Sequence, residues 1–477
     1  MNPVTPANSM ESPHRSKTNA NDPAAPERPA RSVAWIIAAS SFAFAVIQLD
    51  VTIVNVALPR IGADLRATVA ELQWVVDAYT LGFAALLLSA GVVVDRLGAK
   101  RVFIGGFAGF GAASLSCGLA HGPGFLNAAR ALQGVAAALM VPSSLTILNN
   151  ACDHDSGLRA RAIGIWTAAG GAAIAAGPVI GGFLLAGLGW RSIFFVNLPV
   201  CAIGLGLTLR CVPPSQRNEN SHRSFDLGGQ ALAILGLSAF LGAVIEARPF
   251  GLSHPIVWIG CLLAFGASVA FVAVEARTAS PMLPLHFFGQ PGFTPAVVFG
   301  VLVNCSYYGI IFVLSLYLQK ALDFSSLQAG FAFLPLTGTF IVSNIASGWL
   351  IGRTGPRAPM LFGGLIGAAG FGLLCRLGSR TTFFDMLLPF VLIPAGIGLG
   401  VPAMTTAILS SVDRAWSGTA SAVLNAARQV GGAIGVAAFG ALVSGVAAEQ
   451  IISGLNIAAV IAAALLVAAA ISALIVP

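Results

Sequence analysis

The sequence predicts an all-α integral membrane protein of 14 transmembrane helices, arranged as two six-helix bundles plus two inserted helices. Three observations carry that prediction. First, 57% of the 477 residues are hydrophobic and 9% are charged, against about 25% charged in soluble domains. The mean hydropathy is +0.86. Second, fourteen apolar segments follow one another, each near the length that crosses a bilayer as a helix. Third, a loop sequence occurs twice. Gly91-Val-Val-Val-Asp95-Arg96-Leu-Gly98-Ala-Lys100-Arg101 follows the second segment, and Gly348-Trp-Leu-Ile-Gly352-Arg353-Thr-Gly355-Pro-Arg357 follows the tenth. Matching the two loops pairs segments 1–6 with 9–14 and leaves 7–8 as an insertion. Two like halves around a central site is a transporter architecture.

Residues 1–33 are rich in Pro, Asn, Ser, Ala and charge, and lack the apolar core of a signal peptide. They read as a disordered cytoplasmic tail. Residues 34–211 hold the first bundle, in runs of roughly 34–58, 72–94, 102–120, 125–148, 162–185 and 192–211. The inserted pair lies in 227–274, as runs 227–246 and 255–274. The second bundle occupies 292–476, in runs 292–318, 327–351, 358–377, 383–409, 418–444 and 454–476. Sixteen of the 25 Lys and Arg fall on the tail's side of these runs and seven on the other; Arg130 and Arg428 lie inside spans. That excess predicts a multi-pass protein of the cytoplasmic (inner) membrane with both termini cytoplasmic. It also makes the net charge of +7 a matter of orientation, so no nucleic-acid partner is expected. Seven scattered Cys, without CxxC pairs or His clusters, read as packing residues. No metal site is expected.

Asp50 lies inside the first run, about 24 Å from its Ala34 end and about 12 Å from its Leu58 end. A carboxylate there must face protein or a water-filled cavity, and is functional by default; the alternative is a polar helix contact. Asp77 in segment 2 and Arg130 in segment 4 lie at similar depth. Three ionisable residues in one leaflet of one half point to a proton relay, with a static Asp–Arg pair or an interfacial aromatic belt around Asp77 as alternatives. In the first loop, Gly91 and Gly98 permit a tight turn and close helix approach. Asp95 can pair with Arg96, Arg101 or a helix N-terminus, so Asp95, Arg96, Lys100 and Arg101 read as a gating latch or as an ordinary cytoplasmic loop. Segment 5 carries Gly164, Gly177, Pro178, Gly181 and Gly182: a kink plus a flat face for a sliding neighbour, or packing alone. Arg428, roughly 15 Å deep in segment 13, awaits an anionic substrate group or a carboxylate. Asn55, Gln133 and Arg428 are candidate cavity residues.

These stretches resemble the major facilitator superfamily, and within it the 14-helix drug:proton antiporters of the EmrB and QacA type. The resemblance covers about residues 34–476. Leu49–Pro59 is similar to the family's first-helix signature lDxTxvNvAlP. Gly91–Arg101 resembles the superfamily loop motif. Arg130–Gly134 resembles the fourth-helix RxxQG motif, which the family links to proton transfer. Segment 5 resembles the antiporter motif G(x)8G(x)3GP(x)2GG, with Ala173 in place of its second Gly. Trp190–Pro199 is similar to the start of the family's sixth helix. Gly352 replaces the acidic residue in the second loop, which implies a weaker latch there.

The resemblance implies proton-coupled efflux of amphipathic drugs or toxic compounds by alternating access, and antibiotic resistance as the result. Asp50, Asp77 and Arg130 are the expected proton-coupling residues. No cofactor is expected, because the proton gradient supplies the energy and no GxxxxGK[ST] loop is present. The expected partners are a small amphipathic substrate, protons and the lipid bilayer; a periplasmic adaptor stays open. Alternatives are a dedicated exporter of one metabolite (an antibiotic, siderophore or amino acid) and a non-transporting membrane sensor. An enzyme is not expected, since no Ser/His/Asp, HExxH or paired-carboxylate motif occurs.

Overall fold

A computed structural model describes residues 30–152, 156–214, 226–278, 281, 283–413, 416–443 and 447–477. The expected tail up to residue 29 lies outside the described residues, as do the loop residues Arg217, Arg223 and Arg414. Among the described residues there is helix and no strand. The helices are α1 Ala30–Leu65, α2 Val69–Leu97, α3 Ala99–Gly118, α4 Pro123–Ala151, α5 Ser156–Leu188, α6 Ser192–Phe195, α7 Asn197–Cys211, α8 Leu227–Phe250 and α9 Pro255–Glu275. They continue with α10 Phe293–Leu316, α11 Ser326–Ala332, α12 Leu334–Thr354, α13 Arg357–Leu374, α14 Phe383–Ser410, α15 Ser417–Leu442 and α16 Ala448–Ala473.

Eleven helices are long and apolar enough to span a membrane, or up to 13 if two bent pairs each count as one span. The expected count was 14. The difference is α3, which has span length but falls outside that set. Its Gly and Ser residues (Gly105, Gly106, Gly109, Gly111, Ser114, Ser116) dilute its hydropathy. Two expected runs are broken: 192–211 into α6 and α7, and 327–351 into α11 and α12. Pro199 and Pro335 sit in the first turns of α7 and α12, where a missing N–H is tolerated. The first run continues through Pro59 to Leu65.

The repeat reaches beyond the two loops. Thr68 and Glu71 cap α2 reciprocally, Glu71 N–H donating to Thr68 Oγ1 at 3.2 Å and Thr68 N–H to Glu71 Oε2 at 2.7 Å. Ser325 and Gln328 do the same for α11. Arg66 and Asp323, two residues before each cap, both have positive φ, at 52° and 54°. Gly98 and Gly355 end α2 and α12 at φ 86° and 73°, where glycine escapes the Cβ penalty. Each donates its N–H to the carbonyl four residues back at 2.9 Å. The spacing from Arg66 to Gly98 equals that from Asp323 to Gly355, so the two halves share turn chemistry as well as sequence.

Helices α1–α7 pack among themselves, as do α10–α16. Between these groups, α8 lies in the seam formed by α2 and α15, and α9 packs on α8. Leu241 and Ile245 of α8 bury against Ala433 and Ala437 of α15, with Trp74 of α2 beside them. Four hydrogen bonds between the two groups lie toward the end holding Asp64. Gln73 Nε2 donates to the carbonyls of Val436 and Ala437 at 3.1 and 2.7 Å. Gln319 Nε2 donates to Val56 O at 2.9 Å, and Ser315 Oγ to Asn55 O. Toward the opposite end, Gly91 on α2, Gly164 on α5 and Gly348 on α12 have open space where a Cβ would stand.

Candidate functional site

A closed polar cluster fills the middle of the first bundle. Asp50 is fully buried on α1. Burying a carboxylate costs several kcal/mol unless it is paired and hydrogen-bonded, and here both oxygens are engaged. Arg130 Nη1 of α4 donates to Asp50 Oδ2 at 2.5 Å. Gln133 Nε2 and Asn197 Nδ2 donate to Asp50 Oδ1 at 2.8 and 2.9 Å. Ser114 Oγ of α3 accepts from the same two amides at 2.7 and 3.1 Å. Side chains from four helices, α1, α3, α4 and α7, thus meet around one carboxylate.

Arg130, 1% exposed, is satisfied on its other edge. Its Nε donates to Val75 O of α2 at 3.0 Å, and Nη1 also reaches Gln133 Oε1 at 2.8 Å. The guanidinium lies over the Tyr79 ring, 4.3 Å from its centroid. That reach needs α4 close to α2, and Gly134 permits it. A Cβ there would meet the Tyr79 carbonyl and come within 2.9 Å of Phe83 N. The Gly of the Arg130–Gly134 stretch is therefore a spacing residue.

Asp77 is fully buried on α2, yet neither carboxylate oxygen has a hydrogen-bond partner among the described residues. The structure brings Asp50 and Arg130 into contact, and leaves Asp77 outside their cluster. The cluster also contains two residues not singled out above. Asn197, in the Trp190–Pro199 stretch, had a readable signal: an amide inside an apolar run. Ser114 had none, because serine is common among the small residues of α3. Two assignments are corrected. Gln133, expected to line a cavity, is fully buried inside the cluster. Asn55 is 5% exposed; its amide donates to Val51 O at 3.0 Å and its carbonyl accepts from Ser315, so it belongs to the contact between halves.

The loop after α2 is built differently from expectation at two points. A Cβ on Gly91 would meet nothing within 4 Å. Lys100 ties the loop to the end of α7, donating to Val212 O at 2.5 Å and Leu209 O at 3.4 Å. Neither Asp95 nor Arg96 lacks a partner, and Arg101 is exposed.

On α5 the glycines divide by position. Gly164 faces open space, so the expected flat face does not begin there. A Cβ on Gly177 would strike Thr52 of α1, and one on Gly181 would come within 2.9 Å of Ile53. At Gly182 it would reach Ser326 O of α11 at 2.9 Å, and Gly330 of α11 packs in turn on the Pro178 carbonyl. This end of α5 therefore packs on α1 and on the other half. The helix bends by 42° between Ile174 and Ala176. Ile174 carries the carbonyl that Pro178 cannot bond and must avoid, which is the cause of the bend.

Comparison with known proteins agrees with this architecture. A family model described as Major Facilitator Superfamily matches residues 40–436. The methylenomycin A resistance protein of Streptomyces coelicolor is 35% identical over 405 residues, covering 85% of this chain and 84% of the relative. The puromycin resistance protein of Streptomyces alboniger is 39% identical over 411 residues, covering 85% and 81%. A crystal structure of a mutant nucleoside transporter NupG superposes with a TM-score of 0.67 at 13% identity, covering 93% of this chain and 99% of that one. With 405 residues shared at 35% identity and the family model spanning both halves, this chain belongs to the major facilitator superfamily.

Proposed function

We propose that this chain exports amphipathic drugs or toxic compounds across the cytoplasmic membrane by alternating access, driven by the proton gradient. The observation that carries the reading is the pair of buried carboxylates in one bundle, Asp50 saturated by Arg130, Gln133 and Asn197, and Asp77 without a partner. Relatives named for antibiotic resistance support the cargo class. The protein is a carrier and not an enzyme. Residues 34–211 and 292–476 act as two six-helix bundles, with 227–274 as an inserted pair and α3 as the fourteenth span. Both termini face the cytoplasm. The bundles then touch at their outer ends, and the cavity opens inward.

In this cycle Asp77, buried without a hydrogen-bond partner among the described residues, is the proton carrier, and Asp50 is the partner of Arg130. Helix movements within the first bundle, coupled to its rocking against the second, change the surroundings of both carboxyl groups and so link proton binding to the cycle. One proton moving down 100 mV supplies about 2.3 kcal/mol, and each pH unit adds about 1.4 kcal/mol. The loop around Asp95 gates the cytoplasmic side, and a periplasmic adaptor is not required by this cycle. The test is efflux from proteoliposomes under an imposed pH gradient, with a protonophore control. Protonophore-insensitive efflux would reject proton coupling, and absence of any movement would leave a sensor. Labelling of a cysteine in the tail from outside intact cells would overturn the orientation.

Relatives named for one antibiotic each favour a second reading, a dedicated exporter. A panel of unrelated toxic compounds separates the two by how many are expelled. Pro178→Ala is expected to straighten α5 and lower transport severalfold with little change in abundance. Unchanged transport would make the bend a packing feature only.

A further inference from the structure

We propose that Arg428 and Tyr308 form an anion-recognising subsite in the second half, which takes a carboxylate on an amphipathic cargo. The proposal deepens the export reading above and rests on it. Arg428 lies on α15, about 16 Å along the helix from Ser417. Its Nε is buried without a hydrogen-bond partner. Among the described residues its guanidinium has no carboxylate partner. Arg130 in the first half is neutralised by Asp50 at 2.5 Å. The repeat spacing places Tyr307 and Leu387 at the counterparts of Asp50 and Arg130, so that pair has no equivalent in the second half. Among the described residues Arg428 is an intramembrane cation without such a match.

The side chain is seated rather than loose. Its Cγ packs against Gly300 of α10, where an added Cβ would come within 3.3 Å. One turn along α15, Gly432 faces the Tyr308 ring, and an added Cβ there would come within 3.1 Å of Tyr308 Cδ2. Tyr307 packs edge-on to Tyr308 with centroids 5.4 Å apart. Tyr308 of α10 and Arg428 of α15 thus stand on two helices packed against each other, one turn apart along the contact. Across the seam, α10 packs on α1 and α15 packs on α2 of the first half. Tyr308, partly buried against the cluster that holds Ile53 and Val54 of α1, lies on a helix that faces the first half. Arg428 is partly buried and keeps some exposed surface.

A guanidinium stays charged at any physiological pH. Held in a span without a counter-ion it is destabilising. An anion carried in by the cargo relieves that cost. Its planar fork matches a carboxylate with two parallel bonds, and the Tyr308 hydroxyl supplies a further donor. Lipophilic acids are thus recognised by their carboxylate, and their esters lack the charge that the site reads.

The test uses a matched dye pair, an ethyl-ester rhodamine and its free-acid parent, titrated onto the purified full-length protein in nanodiscs. Wild type is expected to bind the acid at least as tightly as the ester. Arg428→Gln should weaken the acid by roughly tenfold or more and change the ester by less than about threefold. Arg428→Lys should recover part of the loss, and Tyr308→Phe should show a smaller loss in the same direction. Equal weakening of both dyes, no weakening of either, or a wild type that does not bind the acid would overturn the subsite. Accumulation of either dye under a pH gradient is scored separately in proteoliposomes. If the acid binds through Arg428 but neither dye moves, the export reading fails and the subsite stands.

Discussion

Asp50→Asn is expected to abolish pH-gradient-driven efflux and to lower the melting temperature together. Asn keeps the size of the side chain and one acceptor oxygen, so Gln133 and Asn197 retain a partner. It removes the charge that faces Arg130 at 2.5 Å. Arg130 is 1% exposed, so water cannot take over. Removing one member of a buried pair leaves an uncompensated charge and costs about 3–5 kcal/mol. The double variant Asp50→Asn/Arg130→Gln removes both charges. It should regain much of the lost melting temperature and none of the efflux. Asp50→Glu keeps the charge and should retain partial activity. Thermal unfolding and dye efflux in proteoliposomes measure the two effects on the same preparations. An Asp50→Asn protein that still pumps in response to a pH gradient would make the cluster structural and move coupling to Asp77.

Asp77→Asn is expected to reduce pH-driven accumulation to background without lowering the melting temperature. The contrast with Asp50 comes from partners. Asp77 is fully buried and neither oxygen is hydrogen-bonded among the described residues. An unpaired buried carboxyl is a liability for folding, and groups retained at such a cost are found where function needs them. Asn removes the ionisable group and breaks no contact. Stability should therefore hold or rise while coupling is lost. A fall in melting temperature as large as that of Asp50→Asn would mean that Asp77 has a structural partner and would sink its assignment as a proton carrier.

Class and repeat were legible from the chain alone, because both are local properties. A long apolar run can satisfy its backbone in hydrocarbon only as a helix or within a closed barrel, and these runs are of helix length. The loop at Gly91–Arg101 and its copy announced two halves, and the matched positive-φ residues and caps follow from the same turn chemistry. Depth was legible too, since each helical residue advances a fixed distance. That put Asp50 and Arg130 at similar height, and they meet.

Depth says nothing about rotation or neighbours. Asp77 shares the height of Asp50 but stays outside its cluster. Gln133 sits three residues from Arg130, so it shares the same helix face and enters the cluster rather than a cavity. Ser114 and Asn197 join from helices that no local pattern brings to α1. Gly177 and Gly182 look alike in sequence, yet one meets its own half and the other meets α11. The sequence by itself determined that charges would be buried in a membrane bundle, because composition and helical rise act residue by residue. Which charges would be neutralised, and which left seeking a partner, only the tertiary structure decided, because that depends on how whole helices turn and pack against one another across long sequence separations.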